Sequence, residues 1–202
     1  MKNSIVLIAF LGLLSCNMNP NNNEQEVSGV SISDNTYNIE TSQSQIIWTG
    51  RELSTSSHYG SLNFVSGNFE VLDGVIVGGE FIVDMTSINN QDMEGGSKER
   101  LEGHLKSDDF FSVDTHPTAT LSINSSELIS EGKWNISADL SIKGYTHPVN
   151  FEMISSEQGW SANLVFDRSK YDVRFRSGSF FENLGDKLIY DDIELSIKLT
   201  TL

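Results

Sequence analysis

From residue 36 onward the chain alternates apolar and polar positions with a period of two, the signature of half-buried strands. Trp134, Ile136, Ala138, Leu140 and Ile142 fall on one face, and Asn135, Ser137, Asp139, Ser141 and Lys143 on the other. Val149, Phe151 and Met153 repeat the pattern, as do Trp160, Ala162, Leu164 and Phe166. Ala119, Leu121 and Ile123 follow Pro117, and Ile193, Leu195, Ile197 and Leu199 close the chain. Asp73-Gly74 between Phe69-Glu70-Val71 and Val75-Ile76-Val77 marks a tight hairpin. Glu131-Gly132, Lys143-Gly144 and Gln158-Gly159 separate the later strands. The count is about eight or nine antiparallel strands. One stretch, Gly96 to Ser107, reads as helix: Leu101 and Leu105 lie four apart, and Ser97 stands where a cap belongs. One-faced strands with so little helix leave two architectures, a two-sheet sandwich or a closed barrel, and periodicity does not separate them.

The first residues follow another pattern. Lys2 precedes an apolar run from Ile5 to Leu14 that is too short to span a bilayer, and Ser15-Cys16 comes next. This reads as a signal segment over residues 1–15 of the bacterial lipoprotein type, with Cys16 as the lipidated residue. The alternative is cleavage elsewhere with Cys16 lost or left free. Cys16 is the only cysteine, so no disulfide can form within the chain. Residues 16–35 carry few, scattered apolar positions among Asn and Ser and read as a tether, leaving 36–202 as a single domain. The expected address is the bacterial cell envelope, lipid-anchored. Asn17, in place of the aspartate that retains some lipoproteins at the inner membrane, points to the outer membrane, facing periplasm or surface.

A net charge of -15 argues against nucleic-acid binding and against attachment to anionic lipid through a basic patch. Membrane attachment would come through the N-terminal anchor. His58, His104, His116 and His147 show no H-x-x-x-H or H-E-x-x-H spacing, there is no G-x-S-x-G elbow, and Gly95-Gly96-Ser97-Lys98 lacks phosphate-loop spacing. Asp191 and Asp192 read as a solvated strand start. The expectation is a protein that is not an enzyme and has neither catalytic residues nor a metal or cofactor site.

Several motifs occur together and in order: GGEFIVDMTSI, LEGHLKSDDFF and HPTATLSI between Gly78 and Ile123, SADLSIKGYTHPVNFEM from Ser137, FDRSKYDVRFRSGSFFENLGDK from Phe166, and the final DDIELSIKL. In them the chain resembles the YceI family of secreted, lipocalin-like barrels. The resemblance covers nearly everything after residue 36. It implies an all-β, antiparallel barrel of about eight strands with one short helical segment, and a lumen that takes a long-chain apolar ligand, a polyisoprenoid or quinone-like lipid. The residues then expected to face that ligand are Trp48, Phe64, Phe69, Phe81, Met85, Leu105, Phe110, Leu121, Trp134, Ile136, Ala138, Leu140, Phe151, Trp160, Leu164 and Phe166. The same alternation is equally satisfied by a dry core, in which case the barrel is an interaction module binding a protein or glycan through loops such as Ser54–Tyr59 and Arg174–Phe181.

Head-group candidates at the mouth are His104, Lys106, Arg168 and Arg174. Each has a plainer role available: Arg168 pairing with Asp167 or Asp109, and Lys106 pairing with Asp108 or Asp109. Asp108 and Asp109 also stand where they could cap a turn that inserts Phe110 and Phe111 into the barrel end. Asp172 and Arg176 occupy positions where related sequences carry small residues, usually glycine.

Overall fold

The computed structural model describes residues 32–54 and 56–202. Cys16, the signal segment and most of the tether lie outside the described residues. Among the described residues Ile32 packs against the core, and β1 spans Asn35–Asn38.

Among the described residues nine strands follow one another with a single α-helix between the fourth and fifth: β2 (Gln45–Arg51), β3 (Ser57–Leu72), β4 (Val75–Asn90), α1 (Gly95–Lys106), β5 (Thr118–Ser130), β6 (Lys133–Ile142), β7 (Tyr145–Ser156), β8 (Gly159–Asp167) and β9 (Asp192–Leu199). Every pairing between these strands is antiparallel. The sheet runs β3-β2-β9-β8-β7-β6-β5-β4 and closes through β3–β4, so eight strands form a barrel and β1 adds to the far half of β3. Closure leaves these eight strands without a free edge.

The predicted turns are where composition places them. Asp73-Gly74 and Lys143-Gly144 both have positive φ at each residue (51° and 74°, 53° and 81°), as hairpins twisting with their strands require. β3 and β4 are the exception to simple alternation. A register shift between Ser61 and Asn63 leaves the extra residues on β4, and a second between Phe64 and Ser66 moves the inward face of β3 from even to odd positions. Leu62 and Phe64 therefore face the interior before the shift, and Gly67, Phe69 and Val71 after it.

The helix covers one end of the barrel. Glu94 is its N-cap, with no side-chain bond, so Ser97 does not cap it; Ser97 Oγ instead accepts from Arg100. Asn90, fully buried at the end of β4, ties the helix to the rim: its N–H donates to Glu102, and its amide donates to the Tyr59 carbonyl and to Asp92. Asp92 also accepts from the Tyr59 N–H and bonds His58 Nδ1 at 2.8 Å. Burial alone would raise the Asp92 carboxyl, but the bonds from His58, Tyr59 and Asn90 outweigh it and hold the group below its ordinary value. A depressed folded-state value stabilises the fold above the unfolded value of 3.8 and is lost as pH falls through the folded one. Asp92→Ala is expected to lower stability by about 1–3 kcal/mol at neutral pH. Urea midpoints of the two proteins should draw together as pH falls below 3.8 and through the depressed folded-state value.

Candidate functional site

The interior under α1 is hollow. A cavity of about 330 Å³ is bounded by Ile46, Trp48, Leu62, Met85, Ile142, Phe166 and Ile193 from the strands, by Leu101, His104 and Leu105 from α1, and by Phe110 and Phe111 from the turn after it. A second cavity of about 80 Å³ lies deeper, among Phe64, Phe81, Leu121, Ile123, Phe151, Met153, Ala162, Leu164 and Leu199. Ile46, Val83, Ala119, Leu140 and Leu195 border both, so the two cavities adjoin at a layer of aliphatic side chains. Binding pockets for small molecules start at about 300 Å³ and are mostly apolar, which describes the upper cavity.

Of the residues expected to face a ligand, Trp48, Met85, Leu105, Phe110 and Phe166 line the upper cavity, Phe64, Phe81, Leu121, Phe151 and Leu164 the lower, and Leu140 both. Phe69, Trp134, Ile136, Ala138 and Trp160 line neither. They face inward, as alternation requires, but at the end remote from α1 the barrel is solid. Phe69 and Trp160 meet edge to face at 4.6 Å between centroids, Trp134 lies 5.5 Å from Trp160, and Tyr37 of β1 stacks on Phe69 at 5.2 Å. Ile46, Leu62, Val83, Ala119, Ile193 and Leu195 line the hollow part and were absent from the expected set; Ala119, Ile193 and Leu195 occupy alternate positions of strands already recognised, whereas Ile46, Leu62 and Val83 lie on β2, β3 and β4.

The turn that inserts Phe110 is built from backbone rather than from aspartate caps. Phe110 and Ser112 donate to the Ser107 carbonyl, Phe111 to Leu105 and Val113 to Lys106. Asp109 pairs with His104 at 3.4 Å, not with Lys106, and the Asp108 carbonyl accepts from Lys143. The His104 ring meets Phe110 and Phe175 edge-on at 4.9 and 4.4 Å. Lys106 does not reach the cavity, and Arg174 lies outside it, paired with Asp172 and over the Phe180 ring.

Arg168 borders the cavity, yet its guanidinium is already engaged. It is 1% exposed and donates to the carbonyls of Tyr190, Val173 and Ile189 at 3.2, 3.0 and 3.1 Å. Its carboxylate partner is Asp191, at 3.2 Å, in place of Asp167 or Asp109. Burial lowers the Arg168 value, and Asp191 and Asp167 oppose that. Asp191 is accordingly no solvated strand start: it also accepts from Ser177 and Ser179, while Asp167 caps the 3-10 turn Arg168–Tyr171 by accepting from Ser169. Burial, with Asp167 adding to it, pushes the Tyr171 phenol up to about 12. Asp172 and Arg176 adopt left-handed backbone, φ 58° and 51°, a region where glycine is the favoured residue.

The mouth also carries residues that alternation did not single out. Arg51, Glu52, His58 and Arg176 border the upper cavity. Arg51 pairs with Glu194 at 3.0 Å, and Arg176 lies over the Phe175 ring. The indole N–H of Trp48, also on the cavity wall, is shielded and has no acceptor among the described residues.

A family model described as the YceI-like domain matches residues 37–201. The chain belongs to that family. Among solved structures, BcnA of Burkholderia cenocepacia aligns with a TM-score of 0.65 at 16% identity, over 80% of this chain and 98% of its own. A polyisoprenoid binding domain from Saccharophagus degradans, implicated in plant cell wall breakdown, aligns with a TM-score of 0.57 at 14% identity, over 81% and 95%. Identities this low establish the shared fold alone. No curated protein matches the sequence. The YceI-like barrel described above thus has its hollow half at the helix-covered end and its packed half at the other.

Proposed function

We propose that this YceI-like chain holds an apolar, lipid-like molecule of the polyisoprenoid or quinone-like class in its upper lumen and stores or carries it in the bacterial envelope, without chemically altering it. The observation that carries this reading is the apolar cavity of about 330 Å³ beneath α1, walled by strands and roofed by Leu101, Leu105 and Phe110. A structural relative named as a polyisoprenoid binding domain supports the ligand class. Burial of apolar surface contributes roughly 25 cal/mol per Å², so a tail burying several hundred Å² gains on the order of 10 kcal/mol before ordering costs. Length, apolarity and closure suffice for that; no proton transfer or nucleophile is needed.

In this reading the signal segment and Cys16 place the domain on a membrane by lipidation, and residues after Cys16 give it reach. The outer membrane remains the address favoured by Asn17. Native mass spectrometry of protein purified from bacterial cells is expected to show an adduct that organic solvent removes. A protein without adduct that, once delipidated, takes up no prenyl alcohol or quinone would refute the reading.

A further inference from the structure

The lumen is not an open tunnel. It ends on a floor of aromatic rings, and that floor is held from several sides. Phe69 is fully buried. It rests on Gly79, where any Cβ would come within 2.8 Å of its own. Trp134 donates its indole N–H to the Gly74 carbonyl at 2.9 Å, tying the floor to the β3–β4 hairpin. Trp160 sits between the two rings. A ring with no vacant space behind it cannot swing aside for a lengthening tail. The layer between the two cavities is different in kind. It consists of aliphatic side chains, with Val83, Ala119 and Leu140 among them, and has void on both sides. A tail entering from the helix end can part that layer and reach the lower cavity, but it stops at the rings.

The depth available follows from the strands. Leu199 lines the lower cavity and Ile193 the upper. Between them β9 rises about 20 Å, and a tilt of about 40° leaves about 15 Å along the barrel axis. Carbon–carbon bonds of about 1.5 Å at near-tetrahedral angles advance about 1.25 Å each, so an extended tail of about a dozen carbons fills that depth.

We propose that the Phe69–Trp134–Trp160 floor acts as a length gauge, so that the site takes tails of about a dozen chain carbons, the reach of about three isoprene units, and gains nothing from longer ones. This rests on the lumen-binding reading above and narrows it from long-chain lipids to short ones.

The test is a titration of delipidated protein with straight-chain primary alcohols of increasing length, followed by tryptophan emission and native mass spectrometry. Affinity is expected to rise about fourfold per added carbon, as burial of each methylene predicts, and to level off near twelve carbons. Ala162→Phe, which fills the lower cavity, should bring the break earlier by about two to four carbons. Phe69→Ala, which opens the floor, should delay it by a similar amount if that variant folds. A steady rise well past the expected break in the native chain, or a folded Ala162→Phe protein whose break has not moved, overturns the gauge while leaving lumen binding intact. Failure of every alcohol to bind overturns lumen binding itself, and the gauge with it.

Discussion

Replacing Arg168 with methionine is expected to destabilise the domain by about 3–5 kcal/mol, the range for removing one member of a buried ion pair. Methionine fills much of the space but donates nothing. Three carbonyls, those of Val173, Ile189 and Tyr190, lose their donor, and Asp191 loses its counter-charge while keeping Ser177 and Ser179. Arg168→Lys should recover only part of the loss. One ammonium keeps the charge, but it lacks the planar fork that reaches several carbonyls at once. Urea unfolding of the three proteins at neutral pH measures the series, with native most stable, lysine intermediate and methionine least. Equal stabilities for native and methionine proteins would show that the guanidinium does not hold this segment. The segment matters for the site because Phe175, Arg176 and Ile189, all on the cavity border, lie in the chain that Arg168 fastens to the barrel.

Much of this architecture is written in local patterns. A period of two and the turns at Glu131-Gly132, Lys143-Gly144 and Gln158-Gly159 locate β5 through β9, because each has one buried face, and Asp73-Gly74 locates the β3–β4 hairpin. Closure is less visible, since a sandwich buries the same residues; family resemblance supplied it, and the β3–β4 pairing shows it. The face of β3 is less visible still. Phe64 and Phe69 lie five residues apart and would fall on opposite faces of a regular strand, yet both point inward because a register shift lies between them. Nothing in the residue types announces that shift.

For the site, alternation separates inward from outward positions but does not say which inward positions meet void and which meet each other. Trp134, Trp160 and Phe69 have the same sequence character as Trp48 and Phe166, yet the first three pack together and the last two border the cavity. The partner of Arg168 was equally hidden. Asp167 is adjacent in sequence, but it turns back to cap the 3-10 turn, and Asp191 arrives from the start of β9. Proximity along the chain is a poor guide where a long loop returns to its origin.

The second large effect concerns Ala119. Its side chain is buried and lies in the layer that borders both cavities. Ala119→Trp is expected to place an indole across the lumen at the point a tail must pass. Binding of an apolar ligand should then fall by about 100-fold or more, because the apolar burial denied to the tail is worth more than about 3 kcal/mol at the usual area coefficient. Stability should change little, since existing void receives the new ring and the strain of about 1–3 kcal/mol typical of a packed core is partly avoided. Ala138→Trp is the necessary companion. Ala138 is also buried but lines neither cavity, so its indole has no void to enter and should cost stability while leaving the upper cavity open. Native mass spectrometry for adduct content and thermal unfolding for stability read the two variants together. Adduct lost with the fold intact at Ala119, and stability lost with adduct retained at Ala138, is the pattern required if ligand occupies the lumen. A folded Ala119→Trp protein carrying its full complement of adduct would move the binding site out of the barrel and onto the surface.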